Sequence, residues 1–145
     1  MKLSEAILLG SMNKPQGFGP SSVNPRSKRT CAIGAALDAM GVTCVDMVGN
    51  EYVYLYKIWP FTNNEVLSPA DYTRNRISKG QYCSVDRLIW TMNDSGMTRE
   101  AIAEWIKTIE PQQEGGDNIE ISSNYLGYAA DYSLQYATNG QAVNG

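Results

Sequence analysis

Residues 84–111 read SVDRLIWTMNDSGMTREAIAEWIKTIEP, two amphipathic helices around a polar turn. Ser84 is placed to cap the first helix, where Val85, Leu88, Ile89 and Met92 fall at i, i+3, i+4 and i+7 on one face. Asp86 lies in its first turn, where a negative charge meets the positive end of the helix dipole. Asn93, Asp94, Ser95 and Gly96 collect the residues that favour turns, with Gly96 free to take a positive φ. Thr98 is the next cap. Ile102, Trp105, Ile106 and Ile109 then repeat the apolar spacing, with Arg99, Glu100, Glu104 and Lys107 on the outer face. Pro111 stops the second helix. The short connection predicts antiparallel neighbours that bury their stripes against the rest of the chain.

Working outward, the fold class expected is mainly α: a small single-domain helical bundle with long loops. Residues 4–12 predict a helix capped by Ser4, with Ile7 and Leu8 inward. Residues 13–29 hold Pro15, Pro20 and Pro25 with Gly17 and Gly19, which exclude a regular element. Thr30 is placed to cap a helix over 31–40, ended by Gly41. Its small residues Ala32, Gly34, Ala35, Ala36 and Ala39 permit close helix packing at the centre of the bundle. Residues 50–59 fit both a strand alternation (Tyr52, Tyr54, Tyr56) and a helix stripe (Tyr52, Leu55, Tyr56, Trp59). The helical surroundings favour helix, so a minor β element is expected here if anywhere. The Trp59-Pro60 step ends it, and a short helix near 69–75, capped by Ser68, follows.

The chain has 145 residues, 43% apolar and 19% charged, which is one globular domain able to bury a core without metal or disulfides. Cys31, Cys44 and Cys83 form no CxxC pair and the chain has no histidine, which argues against a disulfide framework or a Cys/His zinc site. No cofactor and no metal are expected. No apolar run has the length of a membrane span, and MKLSEAILLGSM is too short and too early broken for a signal peptide. A host-cytoplasmic or virion location, without secretion by a signal peptide, is the expectation.

The net charge of −3 is unevenly spread. Residues 1–30 carry Lys2, Lys14, Arg26, Lys28 and Arg29 against Glu5 alone, and beyond residue 107 stand Glu110, Glu114, Asp117, Glu120 and Asp131 with no Lys or Arg. Arg26, Lys28 and Arg29 are the candidate anion contact. A single cluster with one nearby aromatic, Phe18, disfavours a nucleic-acid partner. MTREAIAEWI is similar to the first helix of a helix-turn-helix reader, yet Pro111 and QQEGGDN stand where a recognition helix would begin.

Two further constellations carry the functional expectation. Tyr125, Tyr128, Tyr132 and Tyr136 recur at spacings of 3, 4 and 4, an amphipathic helix with a tyrosine stripe suited to a wet protein interface. Cys31 stands at a helix N-terminus near Arg29, where a thiolate would be favoured, but a hydrolase needs a base and Asp38 or Asp46 would serve only awkwardly. Asn93 and Asp94 are explained by the turn itself, with Asn93 ending one helix and Asp94 bonding amides before the next. The expected division is a helical core domain over 1–111 and an acidic, tyrosine-rich C-terminal helix and tail over 112–145.

MKLSEAILLGSMNKPQGFG, TCAIGAALDAMG, the Trp59-Pro60 step and LIWTMNDSGMTREAIAEWIKTIEP together resemble, in order, a small family found in phages and in bacterial genomes that carry prophages. The CAIGAAL and MND pieces are more loosely similar to other small bacterial proteins with a Cys-x-x-Gly-Ala helix and a later Asn-Asp. That resemblance implies no catalytic residue and leaves the segment from Gly115 onward outside it. It implies a non-enzymatic phage-type protein acting through protein–protein contacts, as a virion or assembly-associated component. The alternative is a small acidic inhibitor or modulator of a host protein.

Overall fold

The computed structural model describes residues 1–19, 23, 26–42 and 50–112. Among them stand five α-helices and one two-stranded sheet: α1 Leu3–Ser11, α2 Ala32–Ala39, α3 Glu51–Ile58, β1 Glu65–Leu67, β2 Tyr82–Ser84, α4 Val85–Asp94 and α5 Arg99–Lys107. The domain is mainly helical. The expected tyrosine helix lies outside the described residues.

The most extensive packing is α1 against α2, followed by α1 against α5. Small residues permit the first: a methyl group on Gly10 would lie 1.8 Å from the carbonyl oxygen of Ala35, so the two backbones touch where they cross. Ala32, Ala35 and Ala36 are wholly buried there, as the composition of this helix predicts.

α5 runs antiparallel to α1 and closes both of its ends. At the start of α1 the Glu110 carboxylate accepts the Ser4 amide at 3.1 Å and the Ser4 hydroxyl at 2.5 Å. At its far end the Arg99 guanidinium donates to the carbonyls of Ser11 at 3.2 Å and Lys14 at 2.7 Å. It also donates to the Thr30 hydroxyl at 2.7 Å. A negative group at the N-terminus and a positive one at the C-terminus complement the α1 dipole and satisfy groups that the helix leaves without partners.

These contacts correct several expectations. Ser4 is not the cap of α1 but its second residue, because Lys2 stands in the cap position and its amide donates to Glu5. Thr30 is spent on Arg99, so Cys31 caps α2, its sulfur accepting the Gly34 amide at 3.4 Å. Arg99 is 5% exposed and not on an outer face, because the ends of α1 and of the following loop supply carbonyls for it.

The 84–111 stretch does form two helices. Val85, Leu88, Ile89 and Met92 are all fully buried, as are Ile102 and Ile106. Thr98 caps α5 by accepting the Ala101 amide at 3.1 Å, and Gly96 takes φ +101° in the turn. Within this stretch, α4 meets α2 while α5 packs chiefly on α1. Residues 51–58 are helical, with Tyr54, Leu55 and Ile58 as the buried face and Tyr52 and Tyr56 at its margin. The β structure lies instead in β1 and β2, which pair antiparallel with Leu67 opposite Tyr82. Three-residue strands carry too little alternation to be read from sequence. The helix expected over 69–75 is reduced to a 3₁₀ turn, Thr73–Asn75, while the Ser68 hydroxyl bonds the Ala70 carbonyl.

Candidate functional site

A cavity of about 370 Å³ opens at the N-terminus of α2, lined by Gly19, Val23, Cys31, Glu51, Tyr52, Trp90 and Asp94. Val23 and Cys31 in this lining are both buried. Trp90 and Asp94 are four residues apart and therefore share a flank of α4, while Glu51 and Tyr52 come from the first turn of α3. A volume of this size falls within the range of small-ligand pockets, roughly 300–1,000 Å³.

Asn93 assembles the wall beside this cavity. It is wholly buried, and its side-chain oxygen accepts the Ala32 amide at 3.1 Å and the Gln16 side-chain amide at 3.0 Å. Its own amide donates to the Gly17 carbonyl at 2.8 Å. Gln16 also reaches the Met97 carbonyl at 2.7 Å, and Asp94 accepts the Gly19 amide at 3.0 Å. Asn93 and Asp94 make hydrogen bonds well beyond the local turn that the sequence indicates. They tie the loop after α1 and the start of α2 to the end of α4, over sequence separations of 61 to 77 residues. The spacing of a single chain carries no sign of such partners.

The described lining of the cavity carries titratable groups of one kind. The titratable groups among its described lining are Glu51, Asp94, the Cys31 thiol and the Tyr52 phenol, every one an acid. Tyr52 is raised well above the ordinary tyrosine value, first by burial, then by the negative potential of Cys31, Asp86 and Glu51. Tyr56, whose ring lies 6.2 Å from that of Tyr52, donates its hydroxyl to Asp86 and is pushed up to about 12 by burial and by that carboxylate.

The other expected site residues fall elsewhere. Arg26 and Lys28 are exposed, and the Arg29 guanidinium donates to the Gln16 carbonyl at 3.2 Å, a contact that helps hold the loop. Asp38 pairs with Lys14 at 3.8 Å, and Asp46 lies outside the described residues. The four tyrosines of the expected partner face, Tyr125, Tyr128, Tyr132 and Tyr136, also lie outside them. Among the described residues no group of three or more His, Cys, Asp or Glu side chains is placed to hold a metal ion. No helix among them is long and apolar enough to cross a membrane.

Sequence reasoning missed Glu51, Tyr52 and Trp90 as neighbours of Cys31 and Asp94. The one signal available was the Trp90–Asp94 spacing, which places an aromatic ring and a carboxylate on one helix flank outside the apolar stripe. No family model, no curated protein and no solved structure matches this chain.

Proposed function

We propose that this chain is a non-enzymatic phage-type protein that works through protein–protein contacts, as a virion or assembly-associated component. The observation that carries the reading is a set of large apolar side chains that the fold leaves in solvent. Leu67 and Tyr82, directly opposed across β1 and β2, are 53% and 65% exposed. Leu9 and Met12, one turn apart at the end of α1, are 45% and 79% exposed, and Phe18 in the following loop is 56% exposed. Paired exposed apolar groups of this kind mark contact surfaces more often than isolated ones do. The tyrosine spacing over 125–136 and the resemblance to phage and prophage proteins support the same reading.

A second reading, a small acidic modulator of a host protein, is favoured by Glu114, Asp117, Glu120 and Asp131, which no Lys or Arg accompanies; Glu110, the fifth carboxylate of this stretch, is buried and held by Ser4. Light scattering at two protein concentrations and two salt levels separates them. A defined oligomer supports the assembly role, and copy number in purified particles then measures it. A monomer at every condition, absent from particles, overturns that role and leaves the modulator, for which a pull-down from host lysate is the next step. A chain deleted of residues 112–145 keeps Glu110 and its Ser4 contacts. It should stay folded while losing its partner.

A further inference from the structure

We propose that the cavity at the start of α2 binds an organic cation, an ammonium or guanidinium group carried on an apolar stem. Three features of the cavity point to that chemistry together. Tyr52 and Trp90 are among its lining residues, and aromatic rings attract cations through their quadrupole. Two carboxylates, Glu51 and Asp94, stand in the same lining, and the other titratable groups of its described lining are also acids. Val23 and Cys31 in the same lining are buried and apolar, which suits a hydrocarbon stem and not a hydrated metal ion.

An anionic ligand fails on the same geometry. Two amides at the start of α2 are already engaged: Asn93 takes the Ala32 amide and the Cys31 sulfur takes that of Gly34. The Arg99 guanidinium donates instead to the carbonyls of Ser11, Lys14 and Thr30, none of which is in the described lining. A phosphate or carboxylate would therefore meet Glu51 and Asp94 without a positive partner in the described lining.

The cation can arrive as a free amine or as the basic side chain of a protein partner, and the test distinguishes the two. Phenethylammonium, 2-phenylethanol and 3-phenylpropanoate share a ring and differ in charge. Each is titrated into the full chain and followed by tryptophan fluorescence and by amide NMR shifts at Gly19, Cys31 and Tyr52. N-acetyl-lysine and N-acetyl-arginine methylamides form the second arm. The cation should bind and shift those amides, the alcohol should bind weakly or not at all, and the carboxylate should not bind. Added salt should weaken the interaction.

Glu51→Gln combined with Asp94→Asn removes both charges and keeps an acceptor for the Gly19 amide, so affinity for phenethylammonium should fall roughly tenfold. Tighter binding of the amino-acid methylamides than of phenethylammonium assigns the site to a partner's basic side chain, and the reverse assigns it to a free amine. Equal binding of the three phenyl probes, no shift with the cation, or an unchanged affinity in the double variant overturns the proposal. The probe comparison and the salt dependence use the natural chain, so they decide even if the double variant does not fold.

Discussion

The side-chain oxygen of Asn93, at the end of α4, lies 3.1 Å from the amide of Ala32, at the start of α2. One buried amide thereby replaces solvent for the first turn of a helix 61 residues away, and the same group orders Gln16 and Gly17. Asn93→Ala would leave the Ala32 amide and the Gly17 carbonyl without partners, each costing about 1–3 kcal/mol. We expect a total loss of about 3 kcal/mol or more by urea unfolding, against a change within about 0.5 kcal/mol for the exposed Asp94→Asn. A mild Asn93→Ala would mean that Asn93 serves only its own turn.

Gly10 and Ala35 set the distance between α1 and α2. Alanine is the better helix former by about 1 kcal/mol, so local propensity alone predicts that Gly10→Ala stabilises. The added methyl would meet backbone at 1.8 Å, which no side-chain rotation relieves. Overpacking costs about 1–3 kcal/mol, and the clash should win. A raised melting temperature in Gly10→Ala would show that the helices do not cross there.

Ser4 and Glu110 join the two ends of the described chain through a pair of hydrogen bonds to one carboxylate. A double-mutant cycle of Ser4→Ala and Glu110→Ala should give a coupling of about 1–2 kcal/mol, since both groups are buried and the acceptor is charged. Truncation before Glu110 should therefore destabilise the domain, whereas truncation after Gln112 should not. Equal stability of the two truncations would sink this account.

Tyr52 and Tyr56 both hold their protons more tightly folded than unfolded. The stability they supply is complete below the unfolded tyrosine value of about 10 and is lost as pH rises through the folded values. For Tyr56 that window runs from about 10 to about 12, and Tyr52 extends it upward. Unfolding free energy should decline as pH rises from about 10 to about 12, and Tyr52→Phe with Tyr56→Phe should flatten that decline. An unaltered slope would assign the alkaline loss to other groups.

The elements that could be read from the sequence are those with a repeating local signature. The stripes of α4 and α5, the Thr98 cap, the Gly96 turn, the small-residue character of α2 and the stop at Trp59-Pro60 all follow from spacing and residue type. Each depends on neighbours within a turn or two of helix. The strands 65–67 and 82–84 do not, because three residues contain no period.

What only the tertiary structure decided is where polar side chains spend their hydrogen bonds. Ser4 and Thr30 have the chemistry of caps, and both are captured by distant charged groups, Glu110 and Arg99. Arg99 has the spacing of a surface residue and is buried by carbonyls from α1 and its loop. The cavity is of the same kind: Cys31, Glu51, Tyr52, Trp90 and Asp94 come from three helices, and no interval along the chain predicts their meeting. Local propensity fixes which segments are helical because its causes lie within a few residues. Pairing across the domain depends on how those helices pack, and that is set by backbone approach at Gly10 and Ala35 and by the closure of α5 on α1.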